Sequence, residues 1–130
     1  MTALTTVAES VVAAVAARDA TALRATLAED VVLEALLPRG LLVGHGPDEV
    51  AAAFHRWFGD LAAFELVAAT AGEIGPRLHL RWRFRADGEG LGGPHLVEQE
   101  VYADAAPDGR LQRLRLLCSG FCAERVVSTG

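Results

Sequence analysis

An α+β fold is predicted, with helices packed on one face of an antiparallel sheet, and three observations predict it. Apolar residues recur at helical spacing in the first half of the chain. Strict alternation of apolar and polar residues dominates the second half, and turns bearing Gly or Pro separate the alternating segments. A chain of 130 residues suits a single domain, 1–130, built around one core.

The elements follow in order. TTVAESVVAAVAARD sets Val7, Val11, Ala14 and Val15 at helical spacing, with Thr5 or Thr6 able to cap it. Asp19 opens a second short helix, DATALRATLAED, in which Leu23 and Leu27 form an i,i+4 apolar pair. VVLEALLP reads as a strand stopped by Pro38, with a short partner from Leu41 to Val43. GHGPDEVAAAFHRWF is a helix start: Pro47 suits the first helical position, and Asp48 and Glu49 complement the helix dipole. Its apolar stripe is Val50, Phe54, Trp57 and Phe58. A strand from about Ala62 to Glu73 then leads into RLHLRWRFRA, HLVEQEVYAD and RLQRLRLLCSG, a meander of hairpins turned at Gly75–Pro76, DGEGLGGP and PDG.

Composition removes several classes of function. Hydrophobic residues make up 52% and charged residues 22%, the balance of a folded globular chain. No apolar run is long enough for a membrane span. The Ala/Val-rich N-terminus carries Glu9 and no basic leader, so a cytoplasmic protein is expected rather than a secreted one. A net charge of −5 argues against a nucleic-acid partner. All twelve basic residues are arginine, which excludes Schiff-base and lysine-dependent phosphate chemistry. Cys118 and Cys122 lack the further Cys and His ligands of a zinc site and read as two free thiols. Neither a metal nor a cofactor is expected.

The segment RLHLRWRFR has two unlike faces. Leu78, Leu80, Trp82 and Phe84 leave one side of the pleat; His79, Arg81, Arg83 and Arg85 leave the other. Registers that satisfy both faces set Arg83 opposite Glu98, Arg81 opposite Glu100 and His79 opposite Tyr102. They also set Glu98 beside Arg115, Glu100 beside Arg113, and Arg85 opposite Glu65. The charged face is then an ionic ladder of Arg81, Arg83, Glu98, Glu100, Arg113 and Arg115, facing solvent or a second copy of the chain. Its glutamates neutralise it as an anion platform, and each pair contributes at most about 1 kcal/mol. On the apolar face the expected rows are Trp82–Gln99–Leu114 and Phe84–Val97–Leu116, continued by Cys118 and covered by Phe54 and Trp57. That face either fills itself or encloses a ligand.

Taken together, VVAAVAARDATALRATLAEDVVLEALLP, GHGPDEVAAAFHRWF and the meander resemble the nuclear transport factor 2-like superfamily, and within it the SnoaL-like branch. The resemblance implies a curved sheet wrapped around three helices as a cone, with a hydrophobic pocket opening at one end. Members include steroid isomerases, epoxide hydrolases, dehydratases and polyketide cyclases; others bind or dimerise without catalysis, and many are homodimers through the outer sheet face. The catalytic sets do not carry over. The steroid isomerases' phenol, base and neutral acid fall at Val11, Ala35 and near Gln99. The inward Arg and Asp of the epoxide hydrolases have no counterpart among the inward residues of the meander. The only tyrosine, Tyr102, points outward by parity.

The polar groups left for a pocket are few. Glu34 would be a desolvated general base if Val32, Glu34 and Leu36 face inward; the steroid-isomerase alignment instead turns Ala35 in and Glu34 out. Gln99 is the one polar residue on the apolar face of its strand, able to polarise a ligand carbonyl or to be satisfied by protein. His45 precedes the helix start and suits a proton carrier, or is an exposed loop residue. Trp57 and Trp82 are the expected walls, with Phe54, Phe84, Leu114, Leu116 and Cys118 contacting the ligand. The expected function is a cofactor-independent isomerase, cyclase, dehydratase or hydrolase acting on a small hydrophobic metabolite. The alternative is a binding or accessory dimer without chemistry.

Overall fold

In the computed structural model, residues 3–125 are described, with side chains from residue 6 onward. Three helices, α1 (Ala3–Ala17), α2 (Ala20–Ala25) and α3 (Gly46–Phe58), precede or interrupt seven strands. These are β1 (Leu27–Leu37), β2 (Gly40–His45), β3 (Ala63–Ile74), β4 (Arg77–Asp87), β5 (His95–Ala105), β6 (Leu111–Cys118) and the two-residue β7 (Cys122–Ala123). The sheet order is β2-β1-β6-β5-β4-β3, with β7 added to β5. It curls without closing, and the fold is α+β as predicted. Helix α3 packs on β1, and α1 on β3 and β4.

Alternation decides which face is core. On β4, Leu78, Leu80, Trp82, Phe84 and Ala86 are at most 1% exposed, while Arg81, Arg83 and Arg85 are exposed. Removing each large apolar side chain from water contributes about 1.5–3 kcal/mol, so the greasy row sets the strand's orientation and the arginines follow. The β4–β5 register is the expected one: Arg83 faces Glu98, Arg81 faces Glu100, and His79 faces Tyr102. Glu65 also faces Arg85, although a bulge at Val67 shifts every later pair of that hairpin by one residue.

Several expectations fail for identifiable reasons. Helix α1 already runs through Thr5 and Thr6, so neither caps it. Leu27 is not helical: α2 ends at Ala25, the Thr26 hydroxyl and N–H both bond back to Leu23 O, and Leu111 N–H donates to Thr26 O at 2.8 Å. The chain is thereby drawn into a strand that runs parallel to β6, a long-range pairing with no local signature. The β5–β6 register lies four residues from the expected one, because Glu100 faces Leu117 rather than Arg113, and Tyr102 faces Arg115. The turn, closed by Ala106 N–H donating to Arg110 O at 2.7 Å, has its apex later in the chain than the expected register assumes. The inner row is therefore Trp82–Gln99–Cys118, with Leu114 and Leu116 beside Ala103 and Val101.

One determinant escaped the sequence reading. Arg18 adopts φ +54 and turns its guanidinium onto the end of α3, donating to Phe58 O at 3.1 Å and Leu61 O at 2.7 Å while lying over the Phe64 ring. It supplies hydrogen bonds and positive charge to carbonyls that a helix end leaves unpaired.

Candidate functional site

The concave side of the sheet is packed rather than hollow. Phe64 stacks on Phe84 with ring centroids 4.1 Å apart, Phe54 meets Trp57 edge-on at 4.9 Å, and Trp82 lies 6.3 Å from Phe54. A small void of about 30 Å³ lies between the three helices beside Val15, Leu23, Phe54 and Phe58, room for water and not for a metabolite. The expected ligand contacts Phe54, Trp82, Phe84, Leu114 and Leu116 are all at most 8% exposed and belong to this core.

A roomier cleft, of about 620 Å³, opens where the β1–β2 turn, the C-terminal part of α3 and the segment after β6 meet. Leu37, Trp57, Phe58, Val97, Cys118 and Phe121 form its walls. Trp57 and Cys118 are thus the two expected contacts that the structure places at an accessible surface. The wall is held in place by Gly120 (φ +75), where an added Cβ would approach Pro38 Cγ to 2.7 Å, so the segment bearing Phe121 closes directly on the hairpin turn. A larger hollow of about 920 Å³ lies between α1, α2 and the β5–β6 turn. It has no aromatic side chain in its lining and offers a ligand little to pack on.

The candidate catalytic residues do not converge. Glu34 is on the outer face: Val31, Leu33 and Ala35 are buried, and the Glu34 carboxylate lies 3.4 Å from Arg113 and 3.9 Å from Arg115. The expectation of a base in the pocket is corrected, because burying Leu33 and Ala35 against Leu114 and Leu116 turns the alternate set outward. Gln99 is inside, 1% exposed, but engaged: Trp82 Nε1–H donates to its Oε1 at 2.9 Å, and its Nε2 donates to Cys118 Sγ at 3.5 Å. His45 is exposed at the N-cap of α3, its backbone N–H bonded to Glu49 Oε1 at 2.8 Å and its ring making no cap bond. Cys118 Sγ also accepts from Gly120 N–H at 3.4 Å.

The outer face carries the charges. Arg81 meets Glu100 at 2.8 Å and Arg83 meets Glu98 at 3.1 Å, as expected, whereas Arg113 and Arg115 pair with Glu34 instead of Glu100 and Glu98. Hydrogen bonding from Arg81 holds the Glu100 carboxyl below the usual carboxylate range, against a smaller opposing effect of desolvation. His79 stacks on Tyr102 at 4.8 Å, its Nε2 enclosed and 3.5 Å from Glu100. Among the described residues no three His, Cys, Asp or Glu side chains group as a metal site, and no helix is long and apolar enough to cross a membrane.

Three helices against a curled, open sheet with an apolar cleft define a small α+β domain of the nuclear transport factor 2-like fold. The chain belongs to the SnoaL-like domain family, whose profile matches residues 8–116. Its fold is similar to that of Bal32a from a soil-derived mobile gene cassette (TM-score 0.73, 19% identity, 92% of this chain and 93% of that one). It is also similar to a putative SnoaL-like polyketide cyclase from Shewanella denitrificans (TM-score 0.71, 15% identity, 89% and 90%). A third similar structure is an LEH-like epoxide hydrolase from M. tuberculosis (TM-score 0.68, 19% identity, 90% and 83%). No curated protein matches.

Proposed function

We propose that this SnoaL-like domain is a small-molecule pocket protein that receives an apolar metabolite in the cleft beside Trp57 and Phe121, and that it binds this ligand without transforming it. The observation that carries the reading is the lining itself, which includes aromatic and aliphatic walls but, among the described residues, no carboxylate and no imidazole. Turnover of the isomerase, cyclase, dehydratase or hydrolase kind needs a group to take a proton. Glu34 faces away, Gln99 is engaged by Trp82, and His45 stands outside the lining. A cytoplasmic setting, where Cys118 and Cys122 stay reduced, belongs to the same proposal. The test is NMR with 1-octanol as the apolar probe. The Trp57 indole N–H signal is expected to shift, and Phe121→Ala to weaken the shift; unchanged cleft signals at saturating probe overturn the reading.

The outer sheet face supports a second copy as partner. Leu41, Leu36 and Leu117 lie side by side across β2, β1 and β6, all more than half exposed, next to the alternating charges of the ladder. An exposed apolar strip edged by self-complementary charge suits a two-fold interface. Sedimentation velocity is expected to show a dimer that Leu36→Glu with Leu117→Glu dissociates; a monomeric wild type refutes it.

A further inference from the structure

We infer that the cleft's ligand carries a carboxylate, held by Arg39 and Arg56; the inference rests on the cleft being the binding site. The argument begins with the other arginines. Of the twelve in the chain, Arg18 donates to two backbone carbonyls. Arg24, Arg77, Arg81, Arg83, Arg85 and Arg110 each meet an acidic side chain within 3.1 Å. Arg113 and Arg115 share Glu34. That leaves Arg39, Arg56 and Arg125 without an acidic or carbonyl partner among the described residues. Two of these three, Arg39 from the β1–β2 turn and Arg56 from α3, line the same cleft.

The surroundings sharpen the point. The chain carries a net charge of −5, yet among the described residues no Asp or Glu lines this cleft, and Arg39 and Arg56 give that lining a charge of +2. Of the other ten arginines, eight meet acid, down to a shared glutamate for Arg113 and Arg115, and Arg18 meets carbonyls. A pair of arginines left unmatched beside apolar walls is the arrangement that recruits its counter-charge from the ligand. The planar guanidinium forks suit a carboxylate, which they can grip through two parallel N–H···O bonds. The apolar remainder of the ligand then lies against Trp57, Phe58 and Phe121, and 620 Å³ is within the range of clefts that hold such molecules.

The test compares octanoate with 1-octanol, which share a chain length and differ in the head group. Binding is followed by titration against the Trp57 indole N–H signal in wild type and in the double variant Arg39→Gln, Arg56→Gln. Octanoate is expected to bind wild type at least tenfold more tightly than octanol, with the preference shrinking as salt is raised. In the double variant the preference is expected to fall to about unity with octanol affinity unchanged. Octanol binding without a preference for octanoate, or a preference that survives the double variant, overturns the carboxylate inference and leaves the cleft reading standing. Failure of both probes to move the signal overturns both.

Discussion

The Trp82–Gln99 pair gives the sharpest test of how the interior is built. Trp82 and Gln99 are each 1% exposed and joined by a 2.9 Å hydrogen bond from the indole N–H to the amide oxygen. Gln99→Leu keeps the volume and removes the acceptor, leaving a buried N–H with no water to turn to. An orphaned buried donor costs about 1–3 kcal/mol. At about 2.1 cal/mol/K of unfolding entropy per residue, a loss near 2 kcal/mol lowers Tm by about 7 °C for a chain of this length. Trp82→Phe orphans the amide oxygen and adds a cavity, so its own loss is expected to be at least as large. The double variant removes both polar partners together and is expected to be more stable than the two single losses added, by about 1–2 kcal/mol of coupling. Urea denaturation followed by circular dichroism measures all four proteins. Additive losses, or a Gln99→Leu protein within 0.5 kcal/mol of wild type, refute the assignment of Gln99 as a satisfied core residue and reopen it as a ligand donor.

Three further outcomes follow from the same coordinates. Phe84→Ala, which empties a fully buried site stacked on Phe64, is expected to destabilise by about 3–5 kcal/mol in the same titration. Arg18→Ala removes two hydrogen bonds from the end of α3 and is expected to lose about 1–3 kcal/mol and to speed amide exchange around Phe58, while Arg18→Gly, which relieves the positive φ, is expected to lose less. Glu100 and Glu124 have lowered carboxyl pKa values through hydrogen bonds from Arg81 and Arg85, so their pairing stabilises the fold above the ordinary value of 4.5 and fades as pH falls through the lower folded values. Tm is therefore expected to decline on acidification below about pH 5, and less steeply when both are changed to Gln; parallel declines would count against the ladder's contribution.

What was readable in the sequence was whatever local pattern controls. Alternation in RLHLRWRFR identified the buried and charged faces of β4, and Pro47 with Asp48 and Glu49 marked the start of α3. What was not readable depends on contacts distant in the chain. The parallel β1–β6 pairing converts Leu27 from helix to strand, and the later apex of the β5–β6 turn moves Arg113 and Arg115 away from Glu98 and Glu100. The same pairing decides Glu34, since a one-residue difference in strand phase sends the carboxylate to the opposite face. Of the residues lining the proposed cleft, Trp57 and Cys118 were among the expected contacts. Arg39 and Arg56 were not, because an unpaired arginine shows only after every other arginine has found its acid.

The filled interior bears on where chemistry could arise in this fold. In the alignment that the resemblance implies, Val11 and Ala35 stand where the steroid isomerases carry a phenol and a base, and both are buried here, at 2% and 0% exposure. Phe54, Phe58, Phe84 and Trp82 form a contiguous cluster of rings in the same core. A carboxyl introduced at Ala35 would be buried in the apolar core, at a cost that favours its neutral form. Placing such a group there first requires room beside it. Leu116→Ala with Ala35→Asp is the pair that tests this order, because Leu116 faces Ala35 on the neighbouring strand: each change alone is expected to destabilise, whereas together the new space lets water reach the carboxyl and returns part of the loss. A double variant no more stable than the sum of its parts would show that packing beside Ala35 is not what makes a carboxyl there costly.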